Sequence, residues 1–192
     1  MANENGRPRD ARIDSAVLDS TAELLGEVGY ADLTVAAIAD RAGTSRPAVY
    51  RRWPTKAHLV HEAVFRDSAT WESPRTGVLE TDLREIVSRT AELLTTPLAR
   101  AAVPGLIADA SADSSLHARL LERFADEGWS GFGEYVEQAV AAGKVRPDVD
   151  AAALIELVAG AALVATLVRG PDGLTEAWVD QTTAIVLGGI RG

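Results

Sequence analysis

Apolar residues in this chain recur every three to four positions and almost never in strict alternation, which predicts helices and no sheet. Ile13, Val17, Leu24 and Val28 share one face of a first helix ending near Gly29. Val35, Ile38, Ala39 and Ala42 outline a short second helix, and the Thr34 hydroxyl can cap its free N–H groups. Gly43 can take positive φ and end that helix, after which Thr44 and Ser45 offer a cap for a third, about 45–52. Pro47 falls in its first turn, where a missing N–H costs little, and Pro54 keeps the helix short by disfavouring helical geometry at Trp53. A fourth helix starts near Thr55, carries Leu59, Ala63 and Phe65, and runs to about Trp71, before the interruption at 73–77. Further helices are expected at roughly 79–95, 98–110, 114–142, 150–169 and 174–189. Their breaks fall at Pro97, Pro104–Gly105, the 112–114 region, 143–147 and 170–173. The expected fold is all-α: an N-terminal three-helix unit followed by a larger helical bundle, about nine helices in total.

Residues 34–56 carry the most specific pattern. Two short helices joined by a tight turn containing glycine form a helix-turn-helix, the supersecondary unit that reads DNA. Charge changes the picture in the same direction. Positions 41–56 hold Arg41, Arg46, Arg51, Arg52 and Lys56 and no acid. The whole chain is acidic, with net charge -9, which argues against binding nucleic acid through its entire surface. The imbalance is local: residues 1–66 carry nine Lys/Arg against nine Asp/Glu, and the remainder ten against nineteen. A neutral N-terminal module with a concentrated basic segment thus precedes an acidic body.

These residues resemble the TetR-type transcriptional repressors. The resemblance is specific over roughly residues 10–66 and architectural beyond. It rests on Gly29-Tyr30 before the first Thr, Ile38-Ala39, the turn Ala42-Gly43-Thr44-Ser45, Tyr50-Arg51-Arg52-Trp53 closing the reading helix, and Lys56-Ala57-His58-Leu59 opening the next. Many members carry Gly followed by Thr or Ser where this chain has Pro47 and Ala48, so a hydroxyl that could touch DNA is absent at 48. Base readout is then expected to lean on Thr44, Arg46 and one or both of Arg51 and Arg52, since guanidinium groups bind phosphate or guanine bidentately. The resemblance places Thr34, Ser45, Pro47, Tyr50 and Lys56 with them on the DNA-facing side. It also implies a ligand-responsive repressor that binds a near-palindromic operator as a homodimer and is released by a small molecule of unidentified chemistry. The implied division is a flexible basic arm at 1–9, a DNA-binding domain at 10–54, a connecting helix at 55–72, and a ligand-binding and dimerisation domain at 73–192.

Residues 151–168 are the most apolar stretch and reach the lower length of a membrane span. Glu156, the many alanines and the lack of an aromatic belt argue against one. A helix apolar nearly all round is buried on two sides, by its own domain and by something else; the resemblance implies a second copy packed on the last two helices, and the alternative is a core helix of a monomer. Leu154, Leu157, Val158, Ala161 and Val164, with Trp178 and Ile185 of the last helix, are the expected interface. The aromatic cluster Phe124, Trp129, Phe132 and Tyr135 fills core or lines a small-molecule cavity, which Leu94, Leu106 and Ile107 could complete. His58, His61 and Glu62 form at most a weak metal-site pattern, and no cofactor is expected. The glycines of 128–133 lack the strand and spacing of a phosphate loop, and no nucleophile motif suggests an enzyme. There is no Cys and no apolar leader at the N-terminus, both compatible with a cytoplasmic protein. The competing readings are a small-molecule-binding or protein-interaction bundle without DNA function, and an activator in place of a repressor.

Overall fold

A computed structural model describes residues 11–66, 74–112 and 131–192. Among them all regular structure is helical, apart from one isolated antiparallel bridge between Val145 and Arg191. The elements are α1 (Ala11–Asp32), α2 (Val35–Arg41), α3 (Arg46–Tyr50), α4 (Lys56–Val64), α5 (Leu79–Thr95), α6 (Pro97–Ala112), α7 (Phe132–Ala141), α8 (Ala151–Arg169) and α9 (Glu176–Ile190).

The chain divides into two compact units, Met1–Val64 with Ala101–Leu116 and Phe65–Arg100 with His117–Gly192. This differs from the sequence-based division, because α4 joins the DNA-reading helices and most of α6 joins them too. In the first unit the buried face of α1, with Val17, Leu18, Thr21, Leu24 and Leu25, follows helical spacing. It packs with Leu33, Ile38, Ala39, Val49, Leu59 and Val60, all nearly fully buried. The regular α1 helix breaks at Gly29 (φ 75°, ψ 174°), a conformation open to glycine.

The second unit is built on α5, whose Leu83, Ile86 and Val87 meet Phe132 and Val136 of α7, Leu154 and Val158 of α8, and Val179, Val186, Leu187 and Ile190 of α9. Leu154 and Val158 therefore fill their own protomer's core, which corrects the expectation that they face a partner. Arg84 of α5 ties the unit from outside, pairing with Glu176 and, at 2.7 Å, with Asp180 of α9. The buried Asp82 accepts from the Thr76 N–H at 2.9 Å and fixes the approach to α5.

Pro104–Gly105 does not break α6 as expected; the helix runs through it to Ala112. Proline forfeits one hydrogen bond there, and the helix continues on either side. The fourth helix is described only over Lys56–Val64, and the expected helix at 114–142 only over its last part, α7.

Candidate nucleic-acid interface

The reading unit is assembled by its caps. The Thr34 Oγ1 accepts from the Ala37 N–H at 3.2 Å and starts α2. Gly43 (φ 64°) reverses the chain, and the Ser45 Oγ accepts from the Ala48 N–H at 3.3 Å to start α3. Each cap satisfies a donor that the first helical turn leaves open. Val49 is the one fully buried residue of α3, so the helix lies on α2 along that side and presents the rest outward. Arg46, Pro47, Tyr50 and Arg51 are exposed, as are Thr34 and Ser45, with Thr44 half-buried between them. Trp53 is buried, and its indole N–H donates to Glu62 Oε2 at 2.7 Å, bracing α3 against α4.

The cations of this segment separate into two groups. Arg41 donates bidentately to Glu27 at 2.6 and 2.9 Å, and the hydrogen bond holds that carboxyl below its ordinary pKa. Arg52 is paired with Asp14 of α1. The Lys56 ammonium donates to the Tyr30 carbonyl at 2.8 Å and stands 4.2 Å over the Tyr30 ring, a cation–π arrangement. Arg46 and Arg51 have no such partner among the described residues and remain exposed. Half-buried Arg52 and Lys56 are thus engaged by α1, whereas Arg46 and Arg51 are exposed guanidinium groups of the segment. The partners Asp14, Glu27 and the Tyr30 carbonyl all lie on α1, outside the segment whose lack of acids suggested that every cation was free.

Tyr30 has a second partner that sequence reasoning missed. Its hydroxyl donates to Asp109 Oδ2 of α6 at 2.5 Å, and its ring lies against Gly105, where a Cβ would come within 2.1 Å of Tyr30 Cδ1. Burial, reinforced by the hydrogen bond and the charge of Asp109, pushes the phenol pKa well above its usual value. The pair thus clips the start of the reading unit to α6 within one compact unit.

The expected ligand-lining residues do not gather at one described site. Leu106, buried, and Ile107, 44% exposed, belong to the DNA-reading unit. Half-buried Leu94 and buried Phe132 belong to the other, where Phe132 stacks on Tyr135 with ring centroids 6.1 Å apart. Phe124 and Trp129 lie outside the described residues. His61 is buried in α4, and the His58 Nδ1 lies 2.8 Å from the Thr55 hydroxyl. Leu157, Val164 and Ile185 are exposed, Ala161 and Trp178 half-buried, on the outer face of α8 and α9.

Comparison with known proteins decides the family. Residues 17–63 match the model for bacterial regulatory proteins of the tetR family, and residues 73–186 match that for the tetracyclin repressor-like C-terminal domain. The chain belongs to the TetR family. It is therefore a DNA-binding transcriptional regulator of TetR type. A DNA-binding transcriptional repressor named TetR from Mycobacteroides abscessus is 33% identical over 90% of this chain and 90% of that protein. An HTH-type transcriptional regulator of Bacillus subtilis is 26% identical over the full chain and 96% of its own length. In fold, this TetR-family chain is similar to a TetR-family regulator from Mesorhizobium loti (TM-score 0.69, 18% identity, 97% of this chain and 100% of that one). Salmonella enterica GusR is similar to the same degree (TM-score 0.69, 15% identity, 97% and 98%).

Proposed function

We propose that this chain is an effector-responsive transcriptional repressor that binds a near-palindromic operator as a homodimer, with Arg46 and Arg51 as its outward-facing cations on duplex DNA. The observation that carries this reading is the sorting of the basic segment, which leaves those two guanidinium groups, Tyr50 and the Thr44 and Ser45 hydroxyls around the short helix α3. A helix of this kind enters the major groove with its N-terminal residues against base edges, and two copies read half-sites about 34 Å apart. Dimerisation is assigned to the outer face of α8 and α9, where Leu157, Val164, Leu167, Val168 and Ile185 are each more than half exposed. Apolar side chains in that density on one face favour a protein partner over water.

The effector is a small molecule held in the C-terminal domain, and its binding favours a dimer geometry in which the half-site spacing no longer fits. A hundredfold loss of operator affinity requires about 2.7 kcal/mol of differential binding. Such a regulator works in the cytoplasm, and no step calls for a cofactor or an enzymatic reaction. Selection of duplexes from a random pool tests the DNA reading. The wild-type chain should enrich a near-palindromic site, and the Arg46→Ala/Arg51→Ala double variant should enrich none; equal enrichment by both would refute it.

A further inference from the structure

The outer face of α8 bears two parallel rows at four-residue spacing, one beginning at Glu156 and Gly160, the other ending at Ala165 and Arg169; together they floor a groove of about 540 Å³. Their order is palindromic. Measured from a point between Ala162 and Leu163, Ala161 and Val164 lie equally far on opposite sides, as do Gly160 and Ala165, Leu157 and Val168, and Glu156 and Arg169. Toward the centre the residues are small except for Val164, further out they are apolar, and at the ends they are oppositely charged.

A two-fold axis perpendicular to a helix at its midpoint lays a second copy antiparallel on the first and exchanges each position with its mirror. We propose that α8 packs on α8 of a second copy of this chain about such an axis, in a register set by Glu156 of each copy against Arg169 of the other. The proposal rests on the homodimer reading and goes beyond it by fixing which residues meet. Rows at four-residue spacing are the ridges that interdigitate when two helices pack closely; Gly160 and Ala161 near the crossing allow that approach, Ala161 lies opposite the exposed Val164 of the other copy, and Ala165 is buried in its own chain. Leu157 would cover Val168 of the other copy; these are 56% and 79% exposed in the single chain. Glu156 and Arg169 are both exposed and make no ion pair among the described residues. They lie about 10 Å along the axis from the crossing, a separation their long side chains can bridge. Any slip in register would set Glu156 or Arg169 against an apolar residue. A parallel pairing would set like charges together, so the end charges select one arrangement.

Sedimentation equilibrium on charge variants tests the register. Glu156→Arg makes both end contacts Arg against Arg, and Arg169→Glu makes both Glu against Glu. Each single variant should therefore dimerise with a Kd raised at least about tenfold. An equimolar mixture of the two places opposite charges at both contacts and should recover near wild-type affinity as a heterodimer. The Glu156→Arg/Arg169→Glu variant should recover the homodimer. Single variants as tight as wild type, or a mixture no tighter than its components, would overturn the register. Val164→Glu separates this failure from that of the underlying reading. If it alone yields monomers, the face is the interface in another register; if it too leaves dimers intact, the interface lies elsewhere.

Discussion

Arg46 and Arg52 stand six positions apart in the same basic segment, yet their surroundings differ. Arg46 points to solvent from the first position of α3, while Arg52 is held by Asp14 with its side chain only 20% exposed. Arg46→Ala should therefore cost about 1–3 kcal/mol of specific DNA binding and relax base preference, with little change in Tm. Arg52→Ala should leave base preference intact and lower stability by about 1 kcal/mol, because it strands a partly buried carboxylate. Fluorescence anisotropy on operator and scrambled duplexes, with a thermal melt, separates the two; equal loss of base preference in both variants would contradict the assignment. Tyr30 supplies a pH signature. Its pKa is raised above the value near 10 of an unfolded tyrosine, so the protonated phenol favours the folded state. That stability is full below pH 10 and is lost as pH rises through the folded value. Tyr135, which burial and the charge of Asp82 push the same way, adds a parallel loss. The Tyr30→Phe variant should show a shallower decline of Tm above pH 10 than the wild type; identical declines would show that the hydroxyl contributes nothing there.

Among the elements, α6 shows where local sequence rules give way to tertiary context. Pro104–Gly105 reads as a break because proline forfeits a helical hydrogen bond and glycine favours disorder in isolation. In the fold the glycine is the seat of the Tyr30 ring. Gly105→Ala would suit an isolated helix, yet should cost about 1–3 kcal/mol here, since its methyl cannot share space with that ring. A melting curve as stable as the wild type's would refute the seat. Helix α5 was legible in its bounds, expected at roughly 79–95 and found over Leu79–Thr95, because its apolar positions recur every three to four residues among charges. Helix α8 was legible as an element but not in its facing. Nearly every position is apolar, so nothing in the sequence separates inward Leu154 and Val158 from outward Leu157 and Val164. The caps of α2 and α3 were plain from Thr34 and Ser45, whereas the ion pair of Arg52 was hidden because Asp14 lies 38 positions away.

For the whole molecule, the family and the all-helical architecture were readable because the reading unit is local: its spacing, caps and turn lie within 23 residues. The division into units was not, because most of α6 returns to the DNA-reading helices from a distant part of the chain. The internal engagement of Arg52 and Lys56 also changes the electrostatics of binding. In the proposed dimer, contacts by Arg46 and Arg51 alone would bring four cations to DNA, hence a slope near -3.6 in log affinity against log salt, and roughly a hundredfold loss between 50 and 200 mM. Contacts by Arg7 and Arg9 of the N-terminal arm would steepen it, and deleting residues 1–10 should then return the slope toward that figure. The most direct measurement is a titration of a selected near-palindromic duplex, followed by sedimentation across that salt range. Two chains per duplex, with affinity falling by about a hundredfold or more and the dependence flattened in the Arg46→Ala/Arg51→Ala variant, is the result expected of a dimer reading DNA through α3. One chain per duplex, or an affinity indifferent to salt and to both arginines, would contradict it.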